Sequence, residues 1–116
     1  MQMEERILAR QQLDREQRYF QIAGKHLSFS PKWLRRVRQV LGVTVPELAQ
    51  ELGINRSVIF RLEESEERKT ISLKAMERVA RAMGCTVVYA IVPIGGKTLM
   101  EQAEWRKWSK RVLGRE

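Results

Sequence analysis

Residues 48–63, with the sequence LAQELGINRSVIFRLE, constrain the fold of this chain more than any other stretch. The apolar residues of its first part recur at helical spacing and predict a short helix: Leu48, Ala49 and Leu52. Gly53 tolerates a positive φ angle and Asn55 is a good N-cap, so these two residues predict a tight turn. The apolar residues of the second part predict another short helix: Val58, Ile59 and Leu62.

Four side chains of the second predicted helix lie away from its apolar positions: Arg56, Ser57, Phe60 and Arg61. Arginine binds guanine edges in the major groove of DNA, and a serine hydroxyl bonds to several bases. We therefore predict that these four residues contact DNA bases. Two roles remain open for Phe60, because its ring can touch a thymine methyl group or seal the helix against its neighbours.

Residues 31–84 resemble the helix-turn-helix of the Xre/Cro type, which includes phage repressors and many antitoxins. Three stretches resemble the mobile mystery protein A group: WLRRVR (33–38), LEESEERKTISL (62–73) and CTVVYAIVP (85–93). The resemblance implies a mainly α, lambda-repressor-like helix-turn-helix bundle that regulates transcription. It also implies an autoregulated operon of the toxin–antitoxin kind, with a Fic-domain protein as the partner. The motif [Ser/Thr]-x-x-x-Glu-[Gly/Asn], typical of antitoxins that inhibit Fic domains, is absent from the sequence.

The resemblance also assigns roles to single residues. Arg56, Ser57 and Arg61 match the family's base-contacting positions. In phage-repressor relatives an arginine of the first helix pairs with the glutamate that closes the recognition helix, and Arg38 and Glu63 occupy those positions. We expect a partly buried structural ion pair there. The expected contacts to the DNA backbone are Lys32, Arg35, Thr44 and Asn55.

The composition favours a polyanionic partner. The chain has 116 residues, and 22 Lys and Arg outnumber 14 Asp and Glu, which gives a net charge of +8. This length suffices for one small domain with appendages.

No apolar run approaches the roughly 20 residues that span a bilayer, and the charged N-terminus lacks the apolar region of a signal peptide. One cysteine, Cys85, suits a reducing cytoplasm, where we expect the protein to be located.

The chain divides into three expected parts. Residues 1–29 are a helical arm and linker, residues 30–84 are the helix-turn-helix domain, and residues 85–116 are a strand followed by a helix. The arm can fold back on the domain, cross to a second subunit, or become ordered only on meeting a partner protein. Ser30 is the expected N-cap of the first domain helix, and residues 63–69 are expected to be a charged loop.

The β-branched run from Cys85 to Val92 predicts one C-terminal strand. A lone strand leaves backbone groups unpaired, so either a helix covers it or it pairs with another copy. We favour antiparallel pairing across a two-fold axis, which would produce a homodimer able to contact two half-sites about 34 Å apart. The residues of this dimer strand are Thr86, Val87, Val88, Tyr89 and Ile91.

Other functional classes have little support in the sequence. His26 is the only histidine, which argues against a metal site. The sequence Gly95-Gly96-Lys97-Thr98 lacks the first glycine of a phosphate-binding loop. No acid, base or nucleophile constellation indicates an enzyme, and no cofactor is expected. The alternative to a DNA-binding regulator is a protein-interaction module that neutralises a partner toxin through its terminal helices (3–23 and 98–113).

Overall fold

The computed structural model describes residues 1–25 and 32–114. Its helices are α1 (Met3–Glu16), α2 (Arg18–Gly24), α3 (Trp33–Val40), α4 (Val45–Leu52), α5 (Arg56–Glu67), α6 (Leu73–Ala82) and α7 (Leu99–Leu113). These residues divide into two compact units, one from 1–25 and 89–114 and the other from 32–88. The first unit therefore combines segments that the sequence assigned to separate parts. Within the two ranges, no helix has the length and apolar character needed to cross a membrane.

Helices α3 to α6 surround one apolar core in the second unit. Its buried side chains are Leu34, Val45, Leu48, Ala49, Ile59 and Val79. Leu48 and Ile59 are fully buried, and they come from the two helices that the sequence predicted on either side of a tight turn. The amphipathic spacing of these helices is therefore satisfied by packing on a common core.

The turn between α4 and α5 has the conformation that Gly53 predicts. Gly53 adopts φ +67°, a left-handed conformation that a side chain would strain. The backbone amides of Gly53 and Ile54 donate to the carbonyls of Gln50 and Ala49 and so satisfy the end of α4. At the other end of α4, the Thr44 hydroxyl accepts a hydrogen bond of 3.2 Å from the amide of Glu47. Both termini of α4 are thus fixed by local sequence.

Helix α3 begins differently from the sequence prediction. The expected N-cap, Ser30, and the histidine His26 lie outside the described residues. Lys32 precedes the helix with φ +48°, and its side chain does not cap the helix. Instead the carboxylate of Glu66, from α5, accepts hydrogen bonds of 2.8 Å from the backbone amides of Trp33 and Leu34. A distant residue therefore supplies the cap.

The predicted charged loop at residues 63–69 is wrong, because α5 continues through Glu67. Two of the four glutamates are buried and have partners, since Glu63 binds Arg38 and Glu66 caps α3. Glu64 pairs with Arg68 one helical turn later, on the exposed surface. These interactions offset the repulsion between adjacent carboxylates. The helix ends only where Lys69 adopts φ +62°.

The first unit is formed by α1, α2 and α7, together with the extended segment that precedes α7. The single helix expected at residues 3–23 is interrupted at Gln17, which separates α1 from α2. Helices α1 and α7 pack together. The Asp14 carboxylate accepts hydrogen bonds from the backbone amides of Leu99 (2.7 Å) and Met100 (3.3 Å) and from the Gln21 side chain (2.8 Å). Asp14 thus connects all three helices.

The predicted C-terminal strand is not formed. Across residues 1–25 and 32–114 no segment is assigned as a strand, and Cys85 to Pro93 runs as irregular chain. Val88, Tyr89 and Ile91 are exposed, at 71%, 68% and 86%. The amide of Ile91 donates to the Gln17 side chain instead of to a neighbouring strand. A β-branched run favours an extended backbone, but a strand needs a neighbour on a pleated surface, which the described chain does not supply.

Candidate nucleic-acid interface

Helix α5 has one face fixed in the protein and another open to solvent. Ile59 is buried in the core, and Val58 and Leu62 are partly buried. On the solvent side, all four residues predicted to contact bases are exposed: Arg56, Ser57, Phe60 and Arg61. Positions i, i+1, i+4 and i+5 lie along one side of a helix. The structure therefore places these four side chains on a common exposed surface.

The arginines of this surface keep their charge available. Neither Arg56 nor Arg61 makes an ion pair or a side-chain hydrogen bond to any part of the chain that the structure describes. The ring of Phe60 is 57% exposed, so in this chain alone it does not seal the helix against its neighbours. Two unpaired guanidinium groups beside an exposed aromatic ring form a surface suited to a polyanion with apolar groups.

An ion pair holds the C-terminal half of α5 against α3. Arg38 of α3 donates from Nε to Oε2 of Glu63 (2.7 Å) and from Nη2 to Oε1 (3.2 Å). Both side chains are largely buried, with 11% and 8% exposure. Arg38 Nη1 also donates to the carbonyl of Val43 (3.4 Å). This bidentate arrangement fixes α5 against α3 with defined geometry.

The residues expected at the DNA backbone have different surroundings. Arg35, Thr44 and Asn55 are exposed, and the Asn55 side chain makes no capping hydrogen bond, so its amide group remains open. The Thr44 hydroxyl already accepts from Glu47. Lys32 lies beside Glu67, with 3.4 Å between its ammonium nitrogen and the carboxylate. A phosphate bound by Lys32 would have to compete with that carboxylate.

Two residues that position this surface were missed by the sequence analysis. Glu66 caps α3, and Arg78 of α6 donates to the carbonyl of Leu52 at the end of α4 (3.3 Å). Glu66 follows Glu63 by three residues and therefore lies on the same side of α5, which is the only sequence signal for its role. Nothing comparable in the sequence indicates the contact of Arg78.

Residues 34–89 match the family model described as Helix-turn-helix. The match covers α3 to α6, which include the turn at Gly53 and the exposed face of α5. Comparison with curated proteins and with solved structures gave no match.

Proposed function

We propose that this protein is a sequence-specific transcriptional regulator in which α5 enters the major groove, because residues 34–89 match a helix-turn-helix family model. One observation carries the proposal. Arg56 and Arg61 lie exposed on α5 and make no ion pair with the residues that the structure describes, while Ile59 anchors the same helix in the core and Glu63 anchors it to α3. A rigidly held helix with free guanidinium groups is suited to base recognition.

The base contacts follow from side-chain chemistry. An arginine donates two parallel hydrogen bonds to O6 and N7 of guanine, so Arg56 and Arg61 favour an operator that contains guanine. The Ser57 side chain is shorter, and its hydroxyl forms a hydrogen bond to a base edge. Phe60, exposed between them, offers an apolar contact to a thymine methyl group. The preferred operator therefore combines guanines with at least one thymine.

Contacts to phosphates would set the position of the domain along the duplex. We assign these contacts to Arg35, Thr44 and Asn55, with a weaker contribution from Lys32 because Glu67 competes for its charge. Phosphate contacts raise the affinity for every DNA sequence, whereas base contacts discriminate between sequences. Loss of a phosphate contact should therefore weaken binding to every DNA sequence, whereas loss of a base contact should weaken binding mainly to the preferred sequence.

The proposed regulator acts as a homodimer on two half-sites about 34 Å apart, the spacing that one turn of DNA imposes. The resemblance to the mobile mystery protein A group supports an autoregulated operon of the toxin–antitoxin kind with a Fic-domain partner. A second function, protein interaction through the terminal helices, is favoured by one observation. Helices α1 and α7 pack together in a unit separate from the helix-turn-helix unit.

A fluorescence-anisotropy titration tests the regulator function. Full-length protein is titrated into DNA from upstream of its own gene and into a scrambled duplex, each at two salt concentrations. We expect wild type to prefer the upstream DNA, and Arg56→Ala to weaken that complex by about 1–3 kcal/mol with little change on the scrambled duplex. Arg81→Ala is the control, because Arg81 is an exposed arginine on α6 with no proposed base contact.

Equal binding of both duplexes by wild type, with Arg56→Ala indistinguishable from Arg81→Ala, would exclude sequence-specific recognition by α5. Sedimentation of the complex provides the stoichiometry. Two chains on one duplex that carries both half-sites are expected, and a single chain at saturation would contradict the dimer.

A further inference from the structure

An open groove of about 600 Å³ runs between α1 and α7 in the first unit. Its lining comes entirely from residues 1–13 of the N-terminal segment and residues 99–110 of α7. None of the residues proposed to contact DNA belongs to it. The groove is therefore a surface that the DNA-binding role does not explain.

The lining of the groove has an apolar part, which we term the floor. It is formed mainly by Met3, Ile7, Leu13, Met100 and Ala103. Met3 is 56% exposed and Leu13 is 42% exposed, so this apolar surface remains in contact with water. Methionine side chains adapt their shape to different apolar partners. An apolar surface within a concave groove is typical of binding sites.

The charged part of the lining, which we term the rim, is strongly basic. It carries five cationic side chains, namely Arg6, Arg10, Arg106, Lys107 and Lys110, and one carboxylate, that of Glu104. Across the part of the chain that the structure describes, none of the five cations makes an ion pair with a side chain. The rim therefore carries an excess of positive charge, to which both α1 and α7 contribute.

We propose that this groove binds an amphipathic helix of a partner protein, with apolar residues on one side and carboxylates flanking them, an inference that rests on the second proposed function, protein interaction through the terminal helices. Such a helix would bury residues at i, i+3, i+4 and i+7 in the floor and place its carboxylates against the rim. The charge of the rim disfavours pairing of this groove with the same groove of a second copy, since both would present the same cations. A nucleic acid would match the rim but leave the apolar floor without a partner.

The proposal is tested with full-length protein and a synthetic helical peptide of about 18 residues, which is five turns. The peptide carries leucine along one face and glutamate elsewhere. A second peptide of identical composition has its leucines distributed around the helix. We expect the amphipathic peptide to bind at least about tenfold more tightly than the second peptide, a difference of about 1.4 kcal/mol. Chemical-shift changes should map to α1 and α7.

Two pairs of variants separate the groove from general charge and apolarity. Lys107→Glu changes the rim, whereas Arg111→Glu makes the same change of charge on α7 outside the lining. Met3→Ser changes the floor, whereas Leu8→Ser alters an exposed apolar residue of α1 outside the lining. Each groove variant should weaken peptide binding about tenfold, and each control should stay within about twofold of wild type. Circular dichroism verifies that all four retain their helix content.

Three outcomes would overturn the proposal. The first is equal binding, or no binding, of the two peptides. The second is an equal effect of a groove variant and its matched control. The third is a loss of duplex-DNA affinity in Lys107→Glu, without a loss in Arg111→Glu and without any effect on peptide binding. That last result would identify the basic rim as a nucleic-acid contact.

Discussion

The carboxylate of Glu66 accepts a hydrogen bond of 2.8 Å from the backbone amide of Leu34, thirty-two positions earlier in the chain. Its second oxygen accepts from the amide of Trp33 at the same distance. Glu66 is only 6% exposed, so water does not replace these bonds readily. The first turn of α3 is therefore satisfied by the helix that carries the proposed base contacts, and the two helices depend on each other.

Glu66→Gln should lower the free energy of unfolding by about 1–3 kcal/mol, because a neutral amide offers one acceptor oxygen where two backbone amides need acceptors. Urea denaturation measures the change. Glu51→Gln, at an exposed position of α4, is the matched control and should stay close to wild type. An equal effect of the two substitutions would show that the cap contributes nothing specific.

Arg38→Ala should lower the free energy of unfolding by about 3–5 kcal/mol, because it leaves the buried carboxylate of Glu63 without its partner. The double substitution Arg38→Met with Glu63→Leu removes both charges and should recover most of this loss. Thermal and urea unfolding of Arg38→Met, Glu63→Leu and the double variant measure the coupling. Additive losses would contradict a direct interaction between the two side chains.

Asp14→Asn should destabilise the start of α7 in the first unit. The aspartate accepts two backbone hydrogen bonds at the start of α7, and an asparagine in the same place can supply only one acceptor oxygen. Hydrogen exchange at the amides of Leu99 and Met100 should therefore accelerate by an amount that corresponds to about 1–3 kcal/mol. Glu16→Gln, at the exposed end of α1, should leave those two amides unchanged.

Glu101, at the start of α7, makes a pH-dependent contribution to the stability of the folded state. Its carboxylate accepts a hydrogen bond from the amide of Thr98 (3.0 Å), and this bond, followed by the one with the Thr98 side chain, lowers the pKa of Glu101 below its ordinary value of 4.5. The folded state therefore binds this proton less readily than the unfolded state. The contribution of Glu101 to stability is complete above the ordinary pKa and is lost as the pH falls through the lowered pKa.

Thr98→Ala should raise the pKa of Glu101 toward 4.5, since it removes the hydroxyl from the capping box. Carboxyl-detected NMR titration measures the pKa. Thr98→Ser keeps the hydroxyl and should preserve the lowered value. A pKa that is the same in all three proteins would argue against the role of Thr98.

Arg35→Ala should weaken binding to the upstream and the scrambled duplex by equal factors, because a phosphate contact carries no sequence information. The slope of log K against log salt should decrease in magnitude by about one unit. Lys32→Ala should have a smaller effect, since the Lys32 ammonium already lies 3.4 Å from the Glu67 carboxylate. A loss confined to the upstream duplex would instead identify Arg35 as a base contact.

The helix-turn-helix region could be predicted from local sequence because its determinants are local. The apolar spacing around Leu48 and Ile59 and the turn residue Gly53 each act within a few positions, and the structure has helices and a turn where they predict them. The exposure of Arg56 and Arg61 follows from the same spacing. Local pattern was therefore enough to locate the face of α5 that is now proposed to contact bases.

The structure differs from the sequence predictions where a residue's decisive partner is distant in the sequence. Residues 63–69 look like a solvated loop until Arg38 and the amides at the start of α3 provide partners for two of the glutamates. The run from Cys85 has strong β propensity, but propensity cannot supply a neighbouring strand. The pairing of α1 with α7 also depends on Asp14, whose hydrogen bonds reach residues 85 and 86 positions away.

The sequence separation between α1 and α7 affects the order in which the two units fold during translation. Helices α3 to α6 have all their mutual contacts within residues 32–88, so this unit has every part it needs before α7 has been made. Domains fold as units while the chain grows at about 5–20 residues per second. Helix α1 leaves the ribosome before α7 but cannot pack against it until α7 has been synthesised. The unit that contains α1 and α7 is thus completed after the unit formed by α3 to α6.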